Sequence, residues 1–517
     1  MRNSARSLGV AAVLALPAAA VAAPLSAIDW LSEQAALPPG TPVATPPERD
    51  AAGDDGAAEG TAGAITTRQI GGPRLDAAGL LPPRLAGLPA DLWTNSTAGR
   101  LSRRIATIET GGNAALAALL ERFLLAELAP PALAGDDRDG VFLTARIDRL
   151  IGMGALDQAE ALLERAGPAR PELFRRWFEI SLLTGRGVRA CATLRAAPGL
   201  TDDPRVRIFC LARGGGWDDA ALLLEAGHAL TTIDDAAYER LLRFLDPARA
   251  EGAERLPPPM APDPLTFRVM EAIEQPMATT DLPLPFAHAD LRPAAGWRAQ
   301  LQAAERLARA GAIPAGRLFA LYLRREPPAS GGVWERVRAV QALDVALLAG
   351  GTDEIGAALA PAWAALREAG LGAVFARQYG PRLLRAPLPV SARALAFRVG
   401  LLSAESERVA QGHSPADAQE AFLVALALGR PGRATAPTPL ARAIAAGFGA
   451  PPNGALAALL ADGRKGEAAL SAIAQIARAG AGDPADLSAG LAVLRALGLE
   501  RAARRVALEI MILGAAS

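Results

Sequence analysis

The stretches GALDQA (154–159), GRGVRA (185–190) and GGWDDA (215–220) repeat one turn motif, a glycine followed five positions later by an alanine. The motif returns near the end of the chain as GRKGEA (463–468) and GLERAA (498–503). Each copy lies between two stretches whose apolar residues have helical spacing, and the first three begin about 30 residues apart. Glycine accepts the positive φ just past a helix end, and alanine lets two helices cross closely. The motif therefore predicts an all-α fold, an α-solenoid of stacked helical hairpins.

The composition agrees with a helical fold and argues against one class of function, the binding of nucleic acid. Of the 517 residues, 51% are hydrophobic but only 4% are aromatic. Alanine, the best helix former, supplies the largest share of the apolar count, and the alternating β-branched runs that a sheet needs are scarce. The formal net charge is zero, so the chain lacks the basic excess that binds nucleic acid. We therefore predict no nucleic-acid partner.

The first 22 residues have the pattern of a signal peptide. Arg2 and Arg6 form a charged start, residues 8–20 are apolar, and Ala20-Val21-Ala22 is a small-residue cleavage sequence. The apolar stretch is too short to span a membrane. We expect cleavage after about Ala22, which makes the mature protein periplasmic or secreted and not an integral membrane protein.

Residues 23–95 are predicted to be a flexible Pro- and Gly-rich segment, because they contain too little apolar surface to offset the entropy of ordering. Two short apolar islands interrupt this segment. The first, with Leu25, Ile28, Trp30 and Leu31, is typical of a tethered peptide that docks into a groove, either of a partner or of this protein. The alternative is an irregular cap on the adjacent repeats, and this is the preferred interpretation of the second island, 65–93.

The helical pattern falls into two parts. Helical repeats are predicted over 96–260 and over 296–517, and an irregular Pro-rich connector is predicted over 261–295, since prolines remove hydrogen-bond donors and disfavour helix before them. The last helix, 502–513, is expected to cap the stack. We therefore expect two solenoid arms joined by an irregular middle.

The turn motif and the A-x-x-L-L spacing after it, as in Ala159-Glu-Ala-Leu162-Leu163, resemble the tetratricopeptide and Sel1-like superfamily of helical repeats. The likeness extends over about half of the chain, and the interval is shorter than the usual tetratricopeptide repeat. It implies stacked hairpins, but no peptide-contacting residues, because the Trp, Tyr and Pro signature positions are mostly absent. The whole chain is also similar to a set of exported, Ala- and Arg-rich α-proteobacterial proteins, which implies no activity.

Cys191 and Cys210 are the two cysteines of the chain. They fall in helices of consecutive hairpins that should be neighbours, and an exported protein can form disulfides. A bridge between them would staple the two hairpins together. The alternative is a pair of small buried thiols.

Residues 276–297 depart from the repeat, and the candidate binding region lies there: His288, Asp290, Arg292 and Trp297. A His and an Asp two residues apart could contribute to a metal site if a second His came close, but no other ligand stands at a metal-binding spacing. The alternative is the first turn of a helix, where Asp290 favours the dipole. No phosphate-binding loop or nucleophile motif is present. We therefore predict no catalytic residue, no cofactor and no metal.

These features favour a periplasmic scaffold or adaptor that binds protein or peptide partners of a cell-envelope assembly, such as the flagellar motor, a secretion system or the cell-wall machinery. The alternative is a cell-envelope enzyme, a peptidoglycan lyase or hydrolase with a superhelical α body. The repeat pattern runs to the last helix, which leaves no room for a separate catalytic domain. A groove lined by aligned polar and aromatic side chains, with no buried carboxylate or His cluster, would support the adaptor, and a deep pocket with a glutamic acid of shifted pKa would rule the adaptor out.

Overall fold

The computed structural model describes residues 74–479 and 483–514. The predicted signal peptide, the tethered peptide around Trp30 and most of the Pro- and Gly-rich segment lie outside the described residues. Within them the long elements are all α-helices, and the strand-like pairings are two isolated bridges, Leu81 with Ala126 and Thr97 with Ala132. The predicted all-α fold class is confirmed.

The helices are labelled in chain order. The first twelve are α1 (Pro83–Ala86), α2 (Ala98–Thr107), α3 (Ala114–Leu125), α4 (Val141–Gly152), α5 (Leu156–Ala166), α6 (Pro171–Leu183), α7 (Gly187–Ala196), α8 (Pro204–Arg213), α9 (Trp217–Ala229), α10 (Asp235–Leu245), α11 (Pro264–Ala272) and α12 (Ala287–Asp290). They are followed by α13 (Trp297–Arg309), α14 (Ala315–Tyr322), α15 (Val333–Ala349), α16 (Thr352–Glu368), α17 (Gly372–Leu383), α18 (Val390–Leu401), α19 (Ser406–Gln411), α20 (Ala418–Ala427), α21 (Pro439–Gly449), α22 (Gly454–Ala461), α23 (Lys465–Ala479), α24 (Pro484–Ala496) and α25 (Glu500–Leu513).

The glycine turns adopt the backbone conformation that the motif predicts. The five turn glycines, at 154, 185, 215, 463 and 498, all have φ between 70° and 87°, where a residue without Cβ avoids the steric penalty of the left-handed region. The alanines five positions later, at 159, 190, 220, 468 and 503, are all 0% exposed. Each turn joins two helices that contact each other: α4 with α5, α6 with α7, α8 with α9, α22 with α23, and α24 with α25. The motif therefore marks hairpins whose small residue is completely covered by a neighbour.

The Pro-rich connector is packed into the core. It contains the short helices α11 and α12, and the buried rings of Phe267 and Phe286 meet edge to face with centroids 5.3 Å apart. Leu284 then packs against the large apolar cluster of α13 to α18, which includes Leu307 and Phe375. The connector thus links the first hairpins to the later ones through side-chain packing as well as through the backbone.

The two ends of the described chain are fastened together. α23 packs against α2 and α3, and Trp93 lies over Gly466, where an added Cβ would be 2.4 Å from the Cε3 atom of Trp93. The next residue, Glu467, is 0% exposed and accepts two hydrogen bonds from Arg464, at 2.9 and 2.6 Å. A further ion pair joins Glu467 to Arg100 of α2 at 3.7 Å. Packing and charge therefore hold the last third of the chain against its beginning.

The expectation that the last helix caps the stack is wrong. α25 contacts α3 near the beginning of the described chain and α17, α20, α21 and α24 in its later part. Ala503, Val506 and Ala507 on this helix are each 0% exposed. A helix whose face is completely covered needs neighbours along its length. α25 is therefore an internal helix and does not cap the stack.

One stretch of the described residues, Pro439–Ala461, is long and apolar enough to cross a membrane when judged by length and composition. It is divided in the structure, because α21 ends at Gly449 and α22 begins at Gly454.

Candidate functional site

The predicted binding region near the connector is occupied by contacts within the protein. His288 is 4% exposed, and its Nε2 lies 2.7 Å from the carbonyl oxygen of Gly154, to which it donates. Burial lowers the pKa of His288 to about 4 in spite of this bond, so the ring is neutral at neutral pH. The carboxylate of Asp290 accepts a hydrogen bond from the hydroxyl of Thr279. These two side chains fasten the connector to the turn between α4 and α5 and to its own preceding loop.

Arg292 and Trp297 have internal partners as well. The guanidinium of Arg292 forms an ion pair with Glu271 at 2.6 Å. The indole nitrogen of Trp297 donates to the carbonyl of Leu321 at 3.1 Å, and its ring packs against Trp334 with centroids 5.0 Å apart. The region therefore acts as a joint between helices. Over residues 74–479 and 483–514, no group of three or more His, Cys, Asp and Glu side chains could hold a metal ion.

The two cysteines are joined. Cys191 in α7 and Cys210 in α8 form a disulfide with their Cα atoms 5.0 Å apart, and both residues are 2% exposed. α7 and α8 belong to consecutive hairpins and contact each other. The bridge thus links one hairpin to the next, as the sequence analysis predicts in preference to two buried thiols.

A different set of side chains comes together where three helices from distant parts of the chain meet. Glu509 near the end of α25 accepts hydrogen bonds from the backbone nitrogens of Ala114 and of Ala115, the latter at 3.0 Å. The carboxylate thereby caps the start of α3, where the helix dipole favours a negative charge. Gly372 at the start of α17 lies against Leu513, also near the end of α25. Both contacts place the end of α25 against the start of a neighbouring helix.

Long polar side chains from these helices converge, and we call them the central cluster: Glu121 and Arg122 of α3, Arg377 of α17, Arg505 of α25 and Gln158 of α5. The amide nitrogen of Gln158 donates to Glu121 at 3.1 Å, which ties α5 to α3. Arg505 is close enough for its charge to lower the pKa of both Arg122 and Arg377. Glu121 interacts in turn with the charges of Arg377 and Arg122.

Two arginines of the central cluster reach water. Arg377 and Arg505 are exposed side chains, although the protein around them removes part of their hydration and thereby lowers their pKa. Burial also raises the pKa of Glu121 to about 7, against the lowering effects of the Gln158 hydrogen bond and of the charges on Arg377 and Arg122.

The three arginines of the central cluster have no close acidic partner within the described chain. Charge effects from Glu121 and Glu509 reach them, but none of the three guanidinium groups forms a hydrogen bond or a close ion pair with a described residue. The Oε1 atom of Gln158, a residue only 8% exposed, is buried without a hydrogen-bond partner among the described residues. Of these groups, Arg377 and Arg505 are the exposed ones.

Sequence reasoning misses this site, because its residues come from four helices that are distant along the chain. The one local signal is weak: a polar pair that includes Arg122 or Arg377 interrupts an apolar stretch in ALLERFLL (118–125) and AVFARQYG (373–380). Arginine inside an apolar stretch is also common where the long side chain reaches water past its neighbours. Only the packing of α25 against α3 and α17 brings the three arginines together.

Comparison of the chain with protein families, with curated proteins and with solved structures gave no match. The function is therefore argued from the chemistry of the site.

Proposed function

We propose that this protein is a periplasmic helical-repeat adaptor that binds protein or peptide partners of a cell-envelope assembly. The observation that carries the proposal is the central cluster, where Arg377 and Arg505 are exposed and have no close acidic partner in the described chain. Arginine is enriched in protein–protein interfaces. The cluster stands on helices, and binding groups on such rigid elements are held in place before the partner arrives.

The hairpin architecture supports the same proposal. The pairs α4–α5, α6–α7 and α8–α9 follow each other with the same glycine turn and the same buried alanine. Such a succession is consistent with solenoid-like stacking of the tetratricopeptide and Sel1-like kind, whose members present extended surfaces to partners. The class of partner we propose is a protein of the flagellar motor, of a secretion system or of the cell-wall machinery.

Export is part of the proposal. The signal-peptide pattern of residues 1–22 lies outside the described residues, but the disulfide between Cys191 and Cys210 supports it, because structural disulfides persist in oxidising compartments such as the periplasm.

Export is tested by fusing residues 1–95 to alkaline phosphatase, which is active only in the periplasm. We expect activity that disappears when residues 8–20 are deleted. Partner binding is tested by in-cell crosslinking of the tagged chain, with an unrelated exported protein of similar size as the control. Specific enrichment of one or a few envelope proteins is the expected result. A cytoplasmic location, or no enrichment over the control, contradicts the adaptor. The same assay with residues 24–34 deleted tests whether the peptide around Trp30 takes part.

A second candidate function is favoured by Glu121. A glutamic acid whose pKa burial raises to about 7, next to exposed arginines, matches the general acid of a glycan-cleaving enzyme. The other carboxylate nearby, Glu509, is engaged with the backbone nitrogens of Ala114 and Ala115, so it is not free to act as the second carboxylate that most glycosidases need. This is why the adaptor is preferred.

The adaptor and the glycan-cleaving enzyme can be distinguished by incubating the purified chain with isolated peptidoglycan and measuring the soluble fragments that are released. The enzyme predicts release that Glu121→Gln abolishes and that Glu127→Gln, a partly exposed acid two residues beyond α3, leaves intact. The adaptor predicts no release by any of the three proteins.

A further inference from the structure

We propose that a surface groove along α20 binds a linear amphiphile, a single hydrocarbon chain that ends in a carboxylate, and that Arg430 and Arg433 hold the carboxylate. This inference goes beyond the adaptor function and does not depend on it, because the groove and the central cluster have no residue in common.

The α20 groove is an open cavity of about 350 Å³ between α20 and the loops on either side of it in the chain. Its floor residues recur every three or four positions and therefore lie in line along one face of the helix. They are Ala418, Ala421, Val424, Ala425 and Leu428. The floor is about 15 Å long, since an α-helix rises about 1.5 Å per residue.

The floor is an apolar surface that lacks a complete cover. From Ala421 to Leu428 the chain reads AFLVALAL, without a polar residue. Phe422, Leu423 and Leu426 on the inner face are buried, whereas the floor residues are exposed or half-buried. A helix that is apolar all round is normally buried on every side. Covering the floor with an apolar ligand is therefore favourable.

The charge at one end of the groove is positive. The two charged side chains that line the groove, Arg430 and Arg433, are both exposed. They lie on one tight turn, because the backbone nitrogen of Arg433 donates to the carbonyl of Arg430 at 3.0 Å. Within the described chain neither guanidinium has an acidic partner, and Glu500, which approaches Gly429, is paired with Arg504 at 3.8 Å. Both arginines can therefore bind an anion.

The opposite end of the groove sets the direction of the ligand. Pro415 lies there, close in the chain to Asp417, which accepts a hydrogen bond from the backbone nitrogen of Glu420 at 2.8 Å. These two acids repel an anion, whereas a guanidinium matches a carboxylate with two parallel hydrogen bonds. The carboxylate therefore belongs at the arginine end, and the hydrocarbon chain runs toward Pro415.

The floor favours a hydrocarbon chain over an extended peptide. The backbone groups of α20 are paired along the helix, and the floor side chains are apolar. A peptide laid on this floor would lose water from its amide groups without gaining hydrogen-bond partners, which a hydrocarbon does not. The volume of about 350 Å³ is near the lower end of the range for ligand pockets, about 300–1,000 Å³, and suits one chain better than the two chains of a phospholipid.

The test is calorimetric titration of the purified chain with dodecanoate below its micelle concentration, because the extended length of dodecanoate is close to that of the floor. We expect a dissociation constant below about 0.1 mM, comparable to the membrane affinity of a single acyl chain. Octanoate should bind at least about tenfold more weakly, since each fully buried methylene strengthens binding by about fourfold. Acetate, which lacks the chain, and dodecyltrimethylammonium, which has the opposite charge, should not bind.

Charge variants test the arginine end. The double variant Arg430→Gln/Arg433→Gln should weaken dodecanoate binding by at least about tenfold, the usual effect of losing charged hydrogen bonds. The matched control is Arg103→Gln/Arg367→Gln, which removes two exposed arginines of α2 and α16 and should change the dissociation constant by less than about twofold.

A size variant tests the floor. Ala421→Trp places a large side chain in the groove and should weaken dodecanoate binding by at least about tenfold, because the hydrocarbon loses its place on the floor. Ala455→Trp, at an exposed alanine of α22, makes the same change away from the groove and should leave the dissociation constant unchanged.

Four results would overturn the inference. The first is no binding of dodecanoate to the wild type, and the second is binding that neither the arginine double variant nor Ala421→Trp weakens. The third is equal binding of dodecyltrimethylammonium. The fourth is tighter binding of an acetylated leucine-rich tetrapeptide with a free carboxylate, which would assign the groove to a peptide. Circular dichroism melting checks that each variant folds, and the arginine double variant supplies an independent reading if Ala421→Trp does not fold.

Discussion

Replacing His288 with glutamine should change the way in which the stability of the protein depends on pH. The ring is buried, and burial lowers its pKa to about 4, from an ordinary value of 6.5. As the pH falls, the unfolded chain therefore takes up a proton near pH 6.5, whereas the folded protein does so only near pH 4. Proton uptake by the unfolded chain alone favours unfolding. The stability that depends on a neutral His288 is thus complete above pH 6.5 and is lost as the pH falls toward 4.

The expected size of this effect follows from the two pKa values. The whole interval corresponds to about 3 kcal/mol of unfolding free energy, and the part between pH 7 and pH 5 corresponds to about 2 kcal/mol. Glutamine does not titrate here, and its amide can still donate to the carbonyl of Gly154. The free energies of unfolding of the wild type and of His288→Gln should therefore diverge by about 2 kcal/mol in favour of the variant as the pH is lowered from 7 to 5.

The measurement is urea unfolding of both proteins at pH 7, 6 and 5. His228→Gln is a reference, because His228 bears the same ring on the surface, with a side chain that is 38% exposed. His228→Gln reports only the effect of losing a surface imidazole. Val390→Ala, at a residue that is 78% exposed and where neither side chain titrates, is the control whose curve should run parallel to that of the wild type. A constant separation between the wild type and His288→Gln over this pH range would refute the reasoning. It would mean that the ring is hydrated, or protonated, in the folded protein.

Three further predictions concern the contacts that hold the fold together. Gly466→Ala should destabilise the protein by about 2 kcal/mol in urea unfolding, because the new Cβ would lie 2.4 Å from Trp93. The control is Gly449→Ala, whose new Cβ meets no atom within 4 Å and which should be neutral or slightly stabilising. Equal effects of the two substitutions would contradict the packing argument. Glu467→Gln should cost about 2 kcal/mol at pH 7. Burial alone would raise the pKa of Glu467, but Arg464, Ser96 and Arg100 hold it below the ordinary value. The difference in unfolding free energy between the wild type and Glu467→Gln should therefore shrink once the pH falls below the ordinary range of a carboxyl group. A difference that does not depend on pH would argue against the ion network. Replacing Cys191 and Cys210 with alanine should cost about 3 kcal/mol through the loop that the bridge closes, and a reducing agent should shift the unfolding midpoint of the wild type but not that of the double variant.

The roles of the turn residues could be predicted from the sequence because they are local. A glycine between two amphipathic stretches acts on the backbone at its own position, and all five turn glycines have positive φ. The alanine five positions later is set by the geometry of the same hairpin, and it is buried at all five sites. The pairing of Cys191 with Cys210 was within reach for a related reason, since consecutive hairpins are neighbours.

The sequence could locate residues 276–297 as an unusual segment, but it could not show what this segment does. The loss of the repeat there correctly marks an unusual part of the chain. Whether His288 faces a ligand or the interior depends on what covers it, and what covers it is the turn at Gly154, which lies far away in the sequence. A sequence pattern contains no information about such a long-range contact.

The sequence by itself determined the helical class of this protein, the positions of its glycine turns and the covered alanines, because hydrophobic periodicity and backbone preference act over a few residues. Only the tertiary structure decided the position of α25 and, with it, the central cluster. Arg122, Arg377 and Arg505 have no pattern in common along the chain, and they become neighbours because the apolar face of α25 needs cover from both α3 and α17. Burial of that face is a property of the whole packed molecule, so the central cluster that we propose as the binding site appears only when the chain is folded.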